Sequence, residues 1–200
     1  MPTHRRLTLL VAAIAAAGLV GAGCSEQSAA VRVGDTTVSR SDFEDELDAF
    51  ASTPAFIQDP DSVKGELSGS YTQEFAGAVL EQRIQFILVE HVFDEQGLEV
   101  TDDDRSNVTD QLQGALDDMP ADVRNLLIED LARQTRLQTE LGQEEYGRAL
   151  TEAVDATDIE VSSHYGSWDP DERTVVPPEG PAGSEPSQGP GPGGDTTGGG

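Results

Sequence analysis

Between Ser70 and Gln96 the chain runs for 27 residues without a proline, and Gly97 follows directly. Read as a helix, this stretch would extend roughly 40 Å. Its apolar positions include Phe75, Val79, Leu80, Ile84, Phe86, Ile87, Leu88, Val89, Val92 and Phe93. From Ile84 onward these fall on more than one side of a 3.6-residue period, so the helix must be surrounded rather than laid on a surface. Ser70 with Gln73 predicts a capping box at its start, and Gly97 predicts a C′ stop. Every other element has to be arranged around this central helix.

The flanking segments supply helices to do so. Ser39-Arg40-Ser41-Asp42 predicts an N-cap with an acid three residues on, opening a first helix that carries Phe43, Leu47 and Phe50. Residues 52–66 hold Pro54, Pro60 and Gly65 and read as a loop with at most one helical turn. Thr101 with Asp104 opens a third helix through Val108, Leu112, Ala115 and Leu116. Pro120 suits the first turn of a fourth, whose stripe is Val123, Leu126, Leu127, Leu131, Leu137 and Leu141. Gly142 separates it from a last helix over 143–156. Val31 to Val38 alternates around Gly34-Asp35 as a small hairpin, and residues 159–161 and 174–176 read as short strands that extend it. The expected fold is mainly α: about five helices closed by a small antiparallel β element from both chain ends. No internal repeat is visible.

The two ends read as something other than fold. His4, Arg5 and Arg6 precede sixteen uncharged residues from Leu7 to Ala22. That run is shorter than the about 20 apolar residues a bilayer span needs, and it reads as the h-region of an export signal. Val20-Gly21-Ala22-Gly23-Cys24 resembles a bacterial lipobox, with Gly21 where such motifs usually place Leu or Val. The resemblance implies a signal peptide over 1–23, a diacylglyceryl group on Cys24, the chain's single cysteine, and a tether over 24–29. The expected location is therefore extracytoplasmic, held by lipidated Cys24 at the outer face of the cell membrane. At the other end, residues 177–200 contain six prolines and nine glycines in 24 residues, with no Gly-X-Y period. They predict a disordered tail. The folded domain is left with residues 30–176, a length that buries roughly 68–70% of its unfolded surface.

Charge excludes some partners. Asp and Glu number 38 against 12 Lys and Arg, a formal net charge of −26, and loss of Arg5 and Arg6 with the signal makes it −28. Nucleic acid, which is bound by clustered cations, is a poor partner. Anionic lipid headgroups would repel this body, so the lipid alone must hold it at the membrane.

Catalytic patterns are missing. There is no G-x-S-x-G elbow, Walker loop or G-x-G-x-x-G turn, and one cysteine permits neither an internal disulfide nor a Cys-rich zinc site. His91 shares a helix face only with Asp94, giving two metal ligands at most. His164, in Ser163-His164-Tyr165-Gly166, lacks the partners of a triad. Asp102-Asp103-Asp104 suits the first turn of a helix. Asp169-Pro170-Asp171-Glu172 reads as a solvated turn, without the glycine and final glutamate of a calcium loop. Asn107-Val108-Thr109 matches a glycosylation sequon inside a helix. No cofactor, metal or enzymatic activity is expected.

The order of elements, however, is distinctive. Val33-Gly34-Asp35-Thr36-Thr37-Val38-Ser39-Arg40-Ser41-Asp42-Phe43-Glu44, then long helices and returning strands, is similar to the N-terminal domain of SurA-like periplasmic chaperones. Tyr165-Gly166-Ser167-Trp168-Asp169-Pro170 followed by Val175-Val176-Pro177 resembles the end of small actinobacterial lipoproteins of that type. Gly34 stands where the family has Asn, so the turn departs slightly. The resemblance spans about residues 30–176 and implies chaperone-like binding of unfolded or extended exported proteins. It leaves no segment for a parvulin domain, hence no isomerase chemistry. Phe43, Phe50, Phe56 and Ile57 lie where a client groove could have its lip, and they suit the core equally well. The alternative is an envelope scaffold or regulator binding one folded partner. A transport-type binding lipoprotein would need two lobes, for which about 147 residues is short.

Overall fold

The computed structural model describes residues 29–57, 62–65, 70–112 and 114–178. The expected export signal, Cys24, the expected tether up to residue 28 and the expected tail from residue 179 lie outside the described residues. Among the described residues the fold has five α-helices and two small antiparallel sheets.

Strands β1 (Ala29–Val33) and β2 (Thr36–Ser39) form the expected hairpin, with Val31 opposite Val38 and Val33 opposite Thr36. Gly34 makes its turn at φ +56° and donates its N–H to the Asp158 carbonyl at 2.9 Å. Strand β3 (Ile159–Val161) returns to the free edge of β1, where Arg32 and Glu160 pair at 2.9 Å. The two ends of the domain are thus joined in one sheet, ordered β2-β1-β3.

The last strand departs from expectation. β5 (Thr174–Val176) pairs not with the N-terminal hairpin but with β4 (Ser167–Asp169) in a separate sheet. β1 has only two edges, and β2 and β3 occupy both. Local chemistry closes the second hairpin: Asp169 Oδ1 accepts the N–H groups of Asp171 and Glu172 at 2.9 and 3.1 Å. This spends that carboxylate on the turn.

Helix α1 (Arg40–Ser52) is capped by Ser39, whose Oγ accepts the Asp42 N–H at 3.1 Å. Its stripe of Phe43, Leu47 and Phe50 turns inward, leaving Glu46 buried among them. A 3-10 turn, Pro54–Phe56, follows. The central helix α2 is Gln73–Glu95, capped by Thr72 rather than Ser70. Tyr71 bridges antiparallel to Lys64, and Thr72 donates its N–H to the Val63 carbonyl at 2.9 Å. The chain is therefore held extended past Ser70, and helix can begin only afterwards. At the far end Gly97 N–H reaches the Asp94 carbonyl and Leu98 N–H the Phe93 carbonyl, with Gly97 at φ +64°, a Schellman stop.

Helix α3 (Asp102–Gln111) has the Thr101–Asp104 capping box in full. It ends before Leu112, earlier than expected, because Gly114 adopts φ +74° and the chain turns; Leu116 and Met119 are buried from those turns. Helix α4 (Ala121–Leu141) has Pro120 as its N-cap residue, and Gly142 at φ +75° separates it from α5 (Gln143–Ala156).

The core has two parts joined by α2. The larger packs the first sheet and α1 against the first two-thirds of α2 and the start of α4. The smaller gathers Val89, Val92, Phe93 and Leu137, with Leu141, Tyr146 and Leu150 packed against them. Phe86, Ile87, Leu88 and Val89 are all buried in succession, so α2 is covered on every side there. Each large apolar side chain so buried contributes roughly 1.5–3 kcal/mol.

Gly166 fixes where β4 starts. It sits at φ +135°, and a Cβ there would lie 2.1 Å from the Val176 carbonyl oxygen. Gly166→Ala is expected to destabilise the fold by more than about 1 kcal/mol and to loosen the β4–β5 hairpin. Trp168 is the chain's one tryptophan, so a red-shifted emission together with a lower urea midpoint checks this.

Candidate functional site

A groove of about 590 Å³ opens where α2 passes between the α4–α5 pair and the β4–β5 hairpin. This is within the roughly 300–1,000 Å³ of ligand clefts. The hairpin is fixed to α2 by one polar contact: the Val175 N–H donates to Glu81 Oε1 at 2.7 Å. Val175 is buried, and its register partner Trp168 forms part of the groove wall. Ile84, Leu88, Leu131, Leu150 and Val154 supply an apolar lining. Gln82, Gln85 and Gln134 add three carboxamides, of which Gln134 donates to the Tyr146 hydroxyl at 3.2 Å.

The groove differs from the rest of this acidic chain. Of its thirteen lining residues only Glu81 and Arg173 are charged, and Glu81 is engaged with the hairpin. A glutamine amide offers both a donor and an acceptor, as a peptide group does. Apolar contact flanked by such amides suits a polypeptide backbone without selecting a particular side chain.

None of the four aromatic or aliphatic residues singled out from the sequence lines this groove. Phe43 has no exposed surface and packs edge-on against Tyr165 with ring centroids 4.9 Å apart, so it belongs to the core and is closed to a client. Phe50 is likewise core, edge-on to Phe56 at 5.3 Å. The inward stripe of α1 explains both. Phe56 is 39% exposed and Ile57 half-buried, on the far side of that contact. In the sequence nothing sets Gln82, Gln85 and Gln134 apart from a solvated helix surface, and Trp168 stands out only within the terminal Tyr165–Pro170 motif. His91 meets Thr36 Oγ1 through Nε2 at 3.3 Å.

Behind the groove, α2 is clamped by buried charge. Arg83 lies between Glu46 of α1 at 3.5 Å and Asp130 of α4 at 2.7 Å. Arg133 joins Asp130 at 3.1 Å and Glu90 at 3.4 Å. Arg105 of α3 grips Glu129 with two hydrogen bonds, 2.7 and 3.1 Å. Gln82 and Phe86 connect this cluster to the groove, since both also line a cavity of about 20 Å³ beside Glu46, Arg83 and Asp130. Burial pushes Glu46 up to about 7; Arg83 pulls it down, while Asp130 and Asp42 push it further up. Burial also raises Asp130, against the pull of Arg83 and Arg133. Glu129 goes the other way, held down chiefly by its hydrogen bonds from Arg105.

Among the described residues no helix is long and apolar enough to cross a membrane, and no group of three or more His, Cys, Asp or Glu is placed to hold a metal ion. No family model, curated protein or solved structure matches this chain.

The buried carboxyls set a pH dependence. A folded-state value raised above the unfolded one means that the fold binds the proton better than the unfolded chain does. The stability Glu46 contributes is therefore present below about 4.5 and lost as pH rises through about 7. Urea midpoints are expected to fall between about pH 5 and pH 8, and Glu46→Gln is expected to flatten that slope. The lowered Glu129 acts oppositely, so stability drops again in acid as that group is protonated.

Proposed function

We propose that this chain is an exported lipoprotein, tethered through Cys24, that binds unfolded or extended polypeptide segments and has no isomerase or other catalytic activity. The observation that carries this reading is the charge-poor, amide-bearing apolar groove on an otherwise strongly acidic chain. An extended segment advances about 3.3 Å per residue, so a few client residues would lie along the groove at a time. Their side chains would meet the half-buried Leu131, Leu150, Val154 and Trp168, and their peptide groups would meet the glutamine amides. Binding of this kind rests on many weak contacts and gives up part of its gain to ordering the client. Affinity near micromolar, roughly −8 kcal/mol, is what such a groove would reach. The acidic exterior would repel other copies and keep a loaded complex dispersed. Lipid attachment would hold the groove at the membrane face where exported chains emerge.

The test is light scattering during refolding of a chemically denatured exported protein, with the full chain added in increasing ratio. Suppression of aggregation near equimolar ratio is expected, and an equally acidic control protein should give none. Ala78 is exposed and lines the groove. Ala78→Arg should raise the concentration needed for half-suppression roughly tenfold, equivalent to about 1.4 kcal/mol. Phe56→Ser, outside the groove, should change little. A wild-type chain that ignores denatured proteins but saturates with one folded partner would instead be a scaffold.

A further inference from the structure

The one cation of the groove has no partner in the fold. Arg173 lines the groove from the turn between β4 and β5, and it is exposed. Its side chain makes no hydrogen bond or ion pair among the described residues. By contrast Arg32, Arg83, Arg105, Arg133, Arg136 and Arg148 each have a carboxylate within 3.8 Å. Arg173 is also the one non-glycine at positive φ among the described residues, at +56°. Asn or Gly ordinarily takes such a turn position, so the turn itself gives no reason for an arginine. An unpaired guanidinium beside apolar surface and carboxamides suits a polypeptide segment that carries a carboxylate.

The chain carries such a segment beside the groove. β5 ends at Val176, whose register partner Ser167 adjoins Trp168 of the groove wall. The sequence continues Pro177-Pro178-Glu179-Gly180-Pro181-Ala182-Gly183-Ser184-Glu185-Pro186, with further prolines at 190 and 192, and no lysine or arginine follows Arg173. Proline-rich sequence favours an extended left-handed helix that docks on aromatic side chains and leaves its carbonyls open to donors. Trp168 and the glutamine amides supply both. Reach selects the acid. At about 3.1 Å per residue, Glu179 lies only about 9 Å of chain beyond Val176, the length of β5 itself, with nothing left for a reversal. Glu185 has about 28 Å of chain, and Gly180 and Gly183 permit the turn back toward Arg173.

We propose that the proline-rich segment 181–192 of this same chain occupies the groove when no client does, with Glu185 on Arg173 and a proline against the Trp168 indole. Its effect on clients rests on the groove being a polypeptide site. A tethered segment faces its site at an effective concentration of order millimolar. Even a millimolar intrinsic affinity then seats the segment about half of the time, and a micromolar client displaces it. The segment is thus a weak internal competitor that lowers the apparent affinity for clients by the fraction of grooves it fills.

The test uses the full chain with Cys24→Ser and a nitroxide attached at Ser187→Cys, observed by NMR without client. Broadening is expected to be strongest at the Trp168 indole N–H and the Gln82, Gln85 and Gln134 carboxamides, and weaker across α3. Arg173→Gln and Glu185→Lys should each reduce it at least twofold. Arg124→Gln removes another arginine that has no ion pair, outside the groove, and should not reduce it. Glu185 lies beyond β5, so Glu185→Lys decides the matter if Arg173→Gln disturbs the turn. No broadening at the groove, equal broadening of α3, or undiminished broadening in Glu185→Lys would overturn the proposal. So would groove broadening that appears only between an isotope-labelled chain and a separate nitroxide-bearing one, since the segment would then sit on a second copy. In the refolding assay Glu185→Lys should lower the concentration for half-suppression about twofold; an unchanged value would overturn the competition. Groove broadening without any suppression of aggregation would leave the seated segment standing and remove the client reading. Suppression without groove broadening would do the reverse.

Discussion

A helix that is apolar around its whole circumference over part of its length cannot lie on a surface there, and residues 86–89 of α2 impose that constraint on the fold. Eleven of its 23 residues are buried. The sheet and α1 cover one part of its length, α4 and α5 another, and the β4–β5 hairpin closes over a third. The cover is incomplete where the hairpin stands off from the α4–α5 pair. The groove is that gap: buried Ile84 and Leu88 of α2 form its floor, and half-buried Leu131, Leu150, Val154 and Trp168 its walls. Fold and candidate function thus share one cause.

Charge is distributed with the same economy. The chain has 12 basic residues, and three of its arginines, Arg83, Arg105 and Arg133, are spent joining α1, α2, α3 and α4 through carboxylates. In the Arg83–Asp130 pair, where both side chains are largely buried, removing one partner is expected to cost about 3–5 kcal/mol, since the other is left uncompensated. Asp130, only 4% exposed, receives both Arg83 and Arg133 and is the junction of the cluster. Among the described residues most acidic side chains have no such partner, and they give the exterior its negative field. Against that field the groove is nearly neutral.

Features decided within a few residues were legible in the sequence. The caps at Ser39 and Thr101, the stop at Gly97, the break at Gly142 and the Gly34 hairpin depend on neighbours in the chain. Those decided by distant residues were not. Ser70 has the chemistry of a cap, yet the bridge from Tyr71 to Lys64 moved the start of α2 to Thr72. Strand β5 read as an extension of the first sheet because nothing local says that β3 already fills the edge of β1. Phe43 and Phe50 have side chains that suit a core or a lip, and only the packing of α1 decides for the core. The groove was the least legible part. Its glutamines carry no signature, and its wall is set by contacts between distant residues, among them the Val175 N–H that Glu81 accepts from 94 residues away and the packing of Val175 and Trp168 on the core.

The most direct measurement is hydrogen–deuterium exchange of the full chain with and without a denatured exported client. The account predicts that client slows exchange along the middle of α2 facing Gln82 and Gln85, in α4 around Gln134, and in the β4–β5 hairpin. Exchange in α1 and α3 should not change. Protection confined to residues 40–57, or no protection at saturating client, would contradict the assignment of the groove.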